Sequence, residues 1–155
     1  MKKAQLTIEF FFILTLFTIV LYQLTSFQKA TELSEQASTL NQEKIVLKGI
    51  IRAMDNVCST SVETTLKLPC IATSNGFIEY LLYTDKTLPP NPKLLRLESK
   101  TGTGGEVKAQ ALCDLQAFTF QTTLDADKCK QNNDAGTLCI KNAGGVIQTS
   151  AGACP

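Results

Sequence analysis

Three patterns of apolar residues follow one another along the chain. From Leu6 to Phe27 large apolar side chains run through 22 residues with Glu9 as the single charge. At 1.5 Å per residue such a helix is about 33 Å long, enough to cross the hydrocarbon layer of a bilayer. From Gln28 to Asp55 the apolar residues thin to a stripe, Leu33, Ala37, Leu40, Leu47, Ile51 and Met54, widened by Val46 and Ile50. Glu32, Glu35, Gln36, Glu43, Lys44 and Lys48 fill the other positions, as in an amphipathic helix with one docking face. No proline precedes Pro69 and no glycine precedes Gly49, so one helix is expected from about Leu6 to about Val57, ended by Cys58. The stripe also fits a coiled-coil dimer, but it covers only about three heptads, with Lys44 on the seam.

Beyond Cys58 the period changes to that of strands. Expected strands are Val62–Leu68, Gly76–Thr84, Lys93–Glu98, Val107–Ala111, Leu115–Thr122, Thr137–Lys141 and Val146–Thr149. Residues 85–92 form a proline-rich loop inside a hairpin, and Ala143-Gly144-Gly145 turns the last two strands. The fold class is therefore α+β: a long N-terminal α-helix, apolar then amphipathic, followed by a small antiparallel β-sheet head. The segments are 5–27, 28–57 and 58–155.

Charge and composition narrow the function. The net charge is +1, which offers no field for nucleic acid. There is no histidine, so Ser–His and Cys–His dyads are excluded and no enzyme is expected. Thr101-Gly102-Thr103-Gly104-Gly105 lacks the Gly-Lys-Ser/Thr of a phosphate loop and reads as a surface loop. Asp125-Ala126-Asp127-Lys128-Cys129 begins like a calcium loop, yet Lys128 and Cys129 stand where a ligand and a glycine belong, so a polar, disulfide-tied loop is expected. No cofactor and no metal is expected.

The six cysteines, Cys58, Cys70, Cys113, Cys129, Cys139 and Cys154, all follow the apolar segment. Neighbours stand too far apart for the Cys-x2-4-Cys pairs of zinc sites, and an even number in an exported domain reads as a disulfide framework. Of the fifteen pairings, sequence-local closure suggests Cys58–Cys70 first. Lys2 and Lys3 precede the apolar segment, and the positive-inside rule then keeps the start in the cytoplasm and puts the remainder outside.

Glu9 is the anomaly, because a carboxylate inside hydrocarbon costs several kcal/mol. A cleaved secretory signal lacks a clean Ala-x-Ala site after the apolar core, and a plain anchor leaves Glu9 unexplained unless it sits wet at the headgroup boundary. The run Gln5-Leu6-Thr7-Ile8-Glu9-Phe10, after a short basic leader, resembles the start of archaeal type IV pilin-like proteins with a class III signal peptide. Thr7 stands where that family usually has serine, and Ala4 where glycine is commoner.

The resemblance covers about 25 residues, and what it implies is specific. A prepilin peptidase would remove residues 1–4 between Ala4 and Gln5. The chain would rest in the cell membrane as a single pass, then polymerise as a homo-oligomer into an extracellular helical filament for adhesion or surface attachment. Phe10, Phe11, Phe12, Ile13, Leu14, Leu16, Phe17, Ile19, Val20 and Leu21 would pack the filament core. Glu9 would meet the free amine of Gln5 on a neighbouring copy and set subunit register, since a paired charge is tolerated there and a lone one is not. Cyclisation of Gln5 would leave only a hydrogen bond to Glu9. The other reading of the same residues is an uncleaved, membrane-anchored extracellular binding protein.

Overall fold

The computed structural model describes residues 2–74, 76–84, 93–100, 105–123 and 125–155, with side chains from Glu9 onward. The chain divides into two units, Met1–Glu35 and Gln36–Pro155. Helix α1, Lys2–Thr60, supplies the first and the opening of the second. The strands follow as β1 (Thr64–Leu68), β2 (Ile71–Thr73), β3 (Gly76–Ile78), β4 (Tyr80–Thr84), β5 (Leu94–Ser99), β6 (Glu106–Gln110), β7 (Asp114–Leu115), β8 (Thr119–Gln121), β9 (Gly136–Ala143) and β10 (Val146–Ala151), with helix α2 (Ala126–Asn132) before β9. The chain is α+β: one long N-terminal helix, then sheets tied by three disulfides.

Helix α1 passes its expected end by three residues, and Cys58 lies in its last turn. There Ser59 and Thr60 donate their hydroxyls to the Asn56 carbonyl at 3.0 and 2.7 Å, and Ser61 N donates to Val57 O at 2.9 Å. Ser61 then takes a φ of 57°, the left-handed conformation that stops a helix.

In the second unit the buried stripe of α1 is Val46, Leu47, Ile50, Ile51, Met54 and Val57, with Leu40 half-buried. Leu33 and Ala37, expected on the stripe, are exposed. The opposite correction concerns Glu43, expected on the polar side and in fact fully buried. Glu43 stands three, four and seven residues before Val46, Leu47 and Ile50, so helix geometry puts it on their face whatever its charge.

That stripe forms one core with both four-stranded sheets. One sheet has the order β6-β5-β4-β8 and contributes Tyr80, Leu82, Leu95, Leu97 and Val107; the other, β1-β9-β10-β7, contributes Leu68, Leu115, Leu138, Ile140 and Ile147. Pairs are antiparallel except β10 with β7, which run parallel. β2 and β3 form a separate two-stranded ribbon. Gln42 of α1 pairs with its edge, donating to Ala72 O and accepting from Ala72 N at 3.0 Å each, as a neighbouring strand would.

Two expected strands divide. Gly76–Thr84 breaks at Glu79, where the chain leaves β2 for β5 and Glu79 turns out to Lys100 at 3.1 Å. Buried Thr122 covers the gap, accepting from Tyr80 N at 2.9 Å and donating to Tyr80 O at 3.1 Å. Leu115–Thr122 likewise becomes β7 in one sheet and β8 in the other. The expected β5–β4 and β9–β10 hairpins are present. The loops expected at 85–92 and 101–104 lie outside the described residues.

The disulfides are Cys58–Cys113, Cys70–Cys129 and Cys139–Cys154. Local closure of Cys58 with Cys70 does not occur, because β1 carries the chain about 17 Å away from the end of α1 before Cys70 is reached. Pairing of β7 with β10 brings Cys113 back to Cys58 instead, helped by Leu112 N donating to Asp55 Oδ1 at 2.9 Å. The first two bridges close loops of 55 and 59 residues, each stabilising by about 4 kcal/mol on a chain-entropy basis.

Replacing Met54, buried completely, by alanine should lower stability by about 3 kcal/mol in a denaturant titration of the full chain in detergent. Leu112→Ala, at a site 71% exposed, should change it by less than about 0.5 kcal/mol.

Candidate functional site

The first unit is helix alone, and from Phe10 to Phe27 its surface is largely apolar. Phe10, Phe11, Phe12, Ile13, Leu14, Leu16, Phe17, Ile19, Val20 and Leu21 are all exposed, as are Tyr22, Leu24 and Phe27. A continuous exposed apolar surface of this kind belongs in lipid or against another protein. The helix is long and apolar enough to cross a membrane.

The hydroxyls within this stretch remove themselves from the surface chemistry. Thr15 donates to Phe11 O at 2.7 Å and Phe12 O at 2.9 Å, Thr18 to Thr15 O at 2.8 Å, and Thr25 and Ser26 to Tyr22 O at 2.9 Å. Each is satisfied by its own helix, so the segment needs no water to hold them.

Glu9 is exposed on the same helix. Ala4 and Gln5 lie in α1, one turn or so before it, and their side chains are outside the described residues. Within one copy, Gln5 precedes Glu9 by four residues along the helix.

The cysteine sulfurs are engaged in bridges. Glu63, Cys139 and Cys154 stand within ligand distance of one another, but the two cysteines are bonded together and offer no thiolate to a metal. Glu63 pairs with Lys141 at 3.1 Å.

The stretch expected as a polar loop at 125–129 is instead the start of α2. Asp125 accepts from Asp127 N at 3.1 Å and Lys128 N at 3.3 Å as its N-cap, and Asn133 closes the helix in the left-handed conformation. Asp followed seven residues on by Asn-Asn was the sequence signal for this helix. A polar pocket of about 280 Å³ lies beside it, lined by Thr123, Asp125, Lys128, Asn132, Asp134 and Thr137. Its carboxylates are already used: Asp125 caps α2 and Asp134 accepts from Gly136 N at 2.9 Å.

On the outer face of the β6-β5-β4-β8 sheet, Glu106 holds Arg96, Lys108 at 3.2 Å and the Tyr83 hydroxyl at 3.2 Å. The Arg96 hydrogen bond, with help from Lys108, keeps the Glu106 carboxyl below the usual range. Burial, then the Glu106 carboxylate, pushes the Tyr83 phenol up. This is a cross-strand ion cluster that ties three strands together.

No protein-family model, curated protein or solved structure matches the chain.

Phe17→Lys places a charge near the middle of the apolar segment and should disfavour insertion by about 3 kcal/mol. Protease protection of the full chain synthesised with microsomal vesicles checks this, with Leu33→Lys, outside that segment, expected to insert normally.

Proposed function

We propose that this chain is the structural subunit of a type IV pilus-like extracellular filament, serving adhesion or surface attachment. The observation that carries the reading is the exposed apolar helix surface from Phe10 to Phe27, with a carboxylate at its start. An anchor used only in lipid has no use for Glu9. A segment that moves from lipid into a bundle of its own copies has one, because a lone buried charge is far costlier than a paired one.

In this reading a prepilin peptidase cuts between Ala4 and Gln5 at the cytoplasmic side. The new amine of Gln5 on one copy meets Glu9 of another, and the apolar rows pack around the pair. The hydroxyls of Thr15, Thr18, Thr25 and Ser26, satisfied within the helix, bring no unpaired donor into that packing. Three disulfides in the Gln36–Pro155 unit suit an oxidising exterior.

The N-terminal mass of the protein from its native membrane should begin at Gln5; a chain retained intact from Met1 would favour the membrane-anchored binding protein. Glu9→Gln and Glu9→Ala should reduce filament yield at least tenfold while leaving membrane insertion unchanged. Filaments assembled by Glu9→Ala at wild-type yield would remove the register role.

A further inference from the structure

Among the described residues, the core of the second unit buries a carboxyl group, that of Glu43, at the contact between α1 and the β6-β5-β4-β8 sheet. Glu43 is 0% exposed, and neither of its carboxyl oxygens has a hydrogen-bond partner. It occupies the first buried turn of the α1 stripe, with buried Thr39 one turn before it and Leu47 one turn after.

The group opposite is on β5. That strand buries alternate residues, Leu95, Leu97 and Ser99, and turns Arg96 and Glu98 to the other face. Ser99 ends the buried row, and its hydroxyl is also buried without a hydrogen bond. The two polar groups thus lie close together in a mostly apolar contact, near enough to interact but outside good hydrogen-bonding geometry.

Among the described residues, no counter-ion stands at Glu43. On α1, Lys44 and Lys48 are exposed. On β5 and its neighbours Lys100 is paired with Glu79, Glu98 meets the Tyr83 hydroxyl on the outer face, and Arg96 and Lys108 are drawn to Glu106. The residues after the β5 turn, Thr101, Gly102, Thr103 and Gly104, cannot carry a charge at all. Burial pushes the Glu43 carboxyl up, with the Ser99 hydroxyl opposing it weakly.

We propose that the seating of α1 on β5 is proton-linked: Glu43 carries its proton when the contact is closed, so this contact is tightest in acidic surroundings and loosens as pH rises. A neutral carboxyl can remain in an apolar contact at modest cost, whereas an unpaired carboxylate draws water in or forces the elements apart. The sign follows from linkage. With the folded pKa above the unfolded one, stability is fully present below the unfolded value and declines as pH rises toward the folded one.

The proposal is independent of filament formation and is tested on the full chain in detergent. Urea midpoints of wild type and E43Q are compared from about pH 4 to about pH 8, the difference being used because acid weakens the Glu106 cluster in both. E43Q should match wild type near pH 4 and exceed it by a growing margin toward pH 8; a difference that stays constant across the range overturns the proposal. A carbon-13 titration of the Glu43 carboxyl in the wild-type chain reads the group directly, even if E43Q folds poorly. A midpoint above the ordinary glutamate value supports the proposal, and one at or below it overturns it.

Discussion

The second unit depends on burial of one helical face. Val46, Leu47, Ile50, Ile51, Met54 and Val57 supply the apolar surface that shares one core with both four-stranded sheets. Each large side chain buried there stabilises by about 2 kcal/mol relative to exposure. The same residues explain why an edge strand as short as β2 persists: Gln42, on that helix, satisfies the Ala72 amide and carbonyl that a lone ribbon would leave to water.

Covalent and polar ties then hold what burial brings together. Cys58–Cys113 fastens the last turn of α1 to the segment entering β7, and Asp55 accepts from Leu112 N beside it. Cys70–Cys129 fastens the end of β1 to α2, where Asn133 Oδ1 also accepts from Cys70 N at 3.0 Å. These two bridges interleave in sequence, so opening either one leaves the other still spanning it. Such cross-ties matter in a unit of this size, where an apolar core alone leaves a narrow margin of stability.

The two halves of α1 solve opposite problems with the same backbone. The first half keeps large apolar side chains outward and folds its hydroxyls onto its own carbonyls, which fits a nonaqueous neighbour. The second half keeps Lys44, Lys48 and Arg52 outward and turns its apolar side chains inward, which fits water on one side and a core on the other. Charged residues mark both starts: Glu9 stands exposed at the head of the apolar surface, and Glu43 stands enclosed at the head of the buried stripe.

Much of this was legible in the residues themselves. Absence of proline and early glycine determined the long helix, the apolar run from Leu6 marked the stretch long and apolar enough to cross a membrane, and alternation determined most strands, because these depend on local pattern alone. Glu9 and the six cysteines announced themselves as chemistry. What only the tertiary structure decided concerns residues whose surroundings come from far along the chain. The partner of Cys58 depended on where β7 lands beside β10, the break at Glu79 on Thr122 arriving 43 residues later to cover Tyr80, and the burial of Glu43 on β5 closing over it. Helical spacing had already put Glu43 in line with Leu47 and Ile50, but its charge argued for water, and only the packed sheet determined that position outweighed charge.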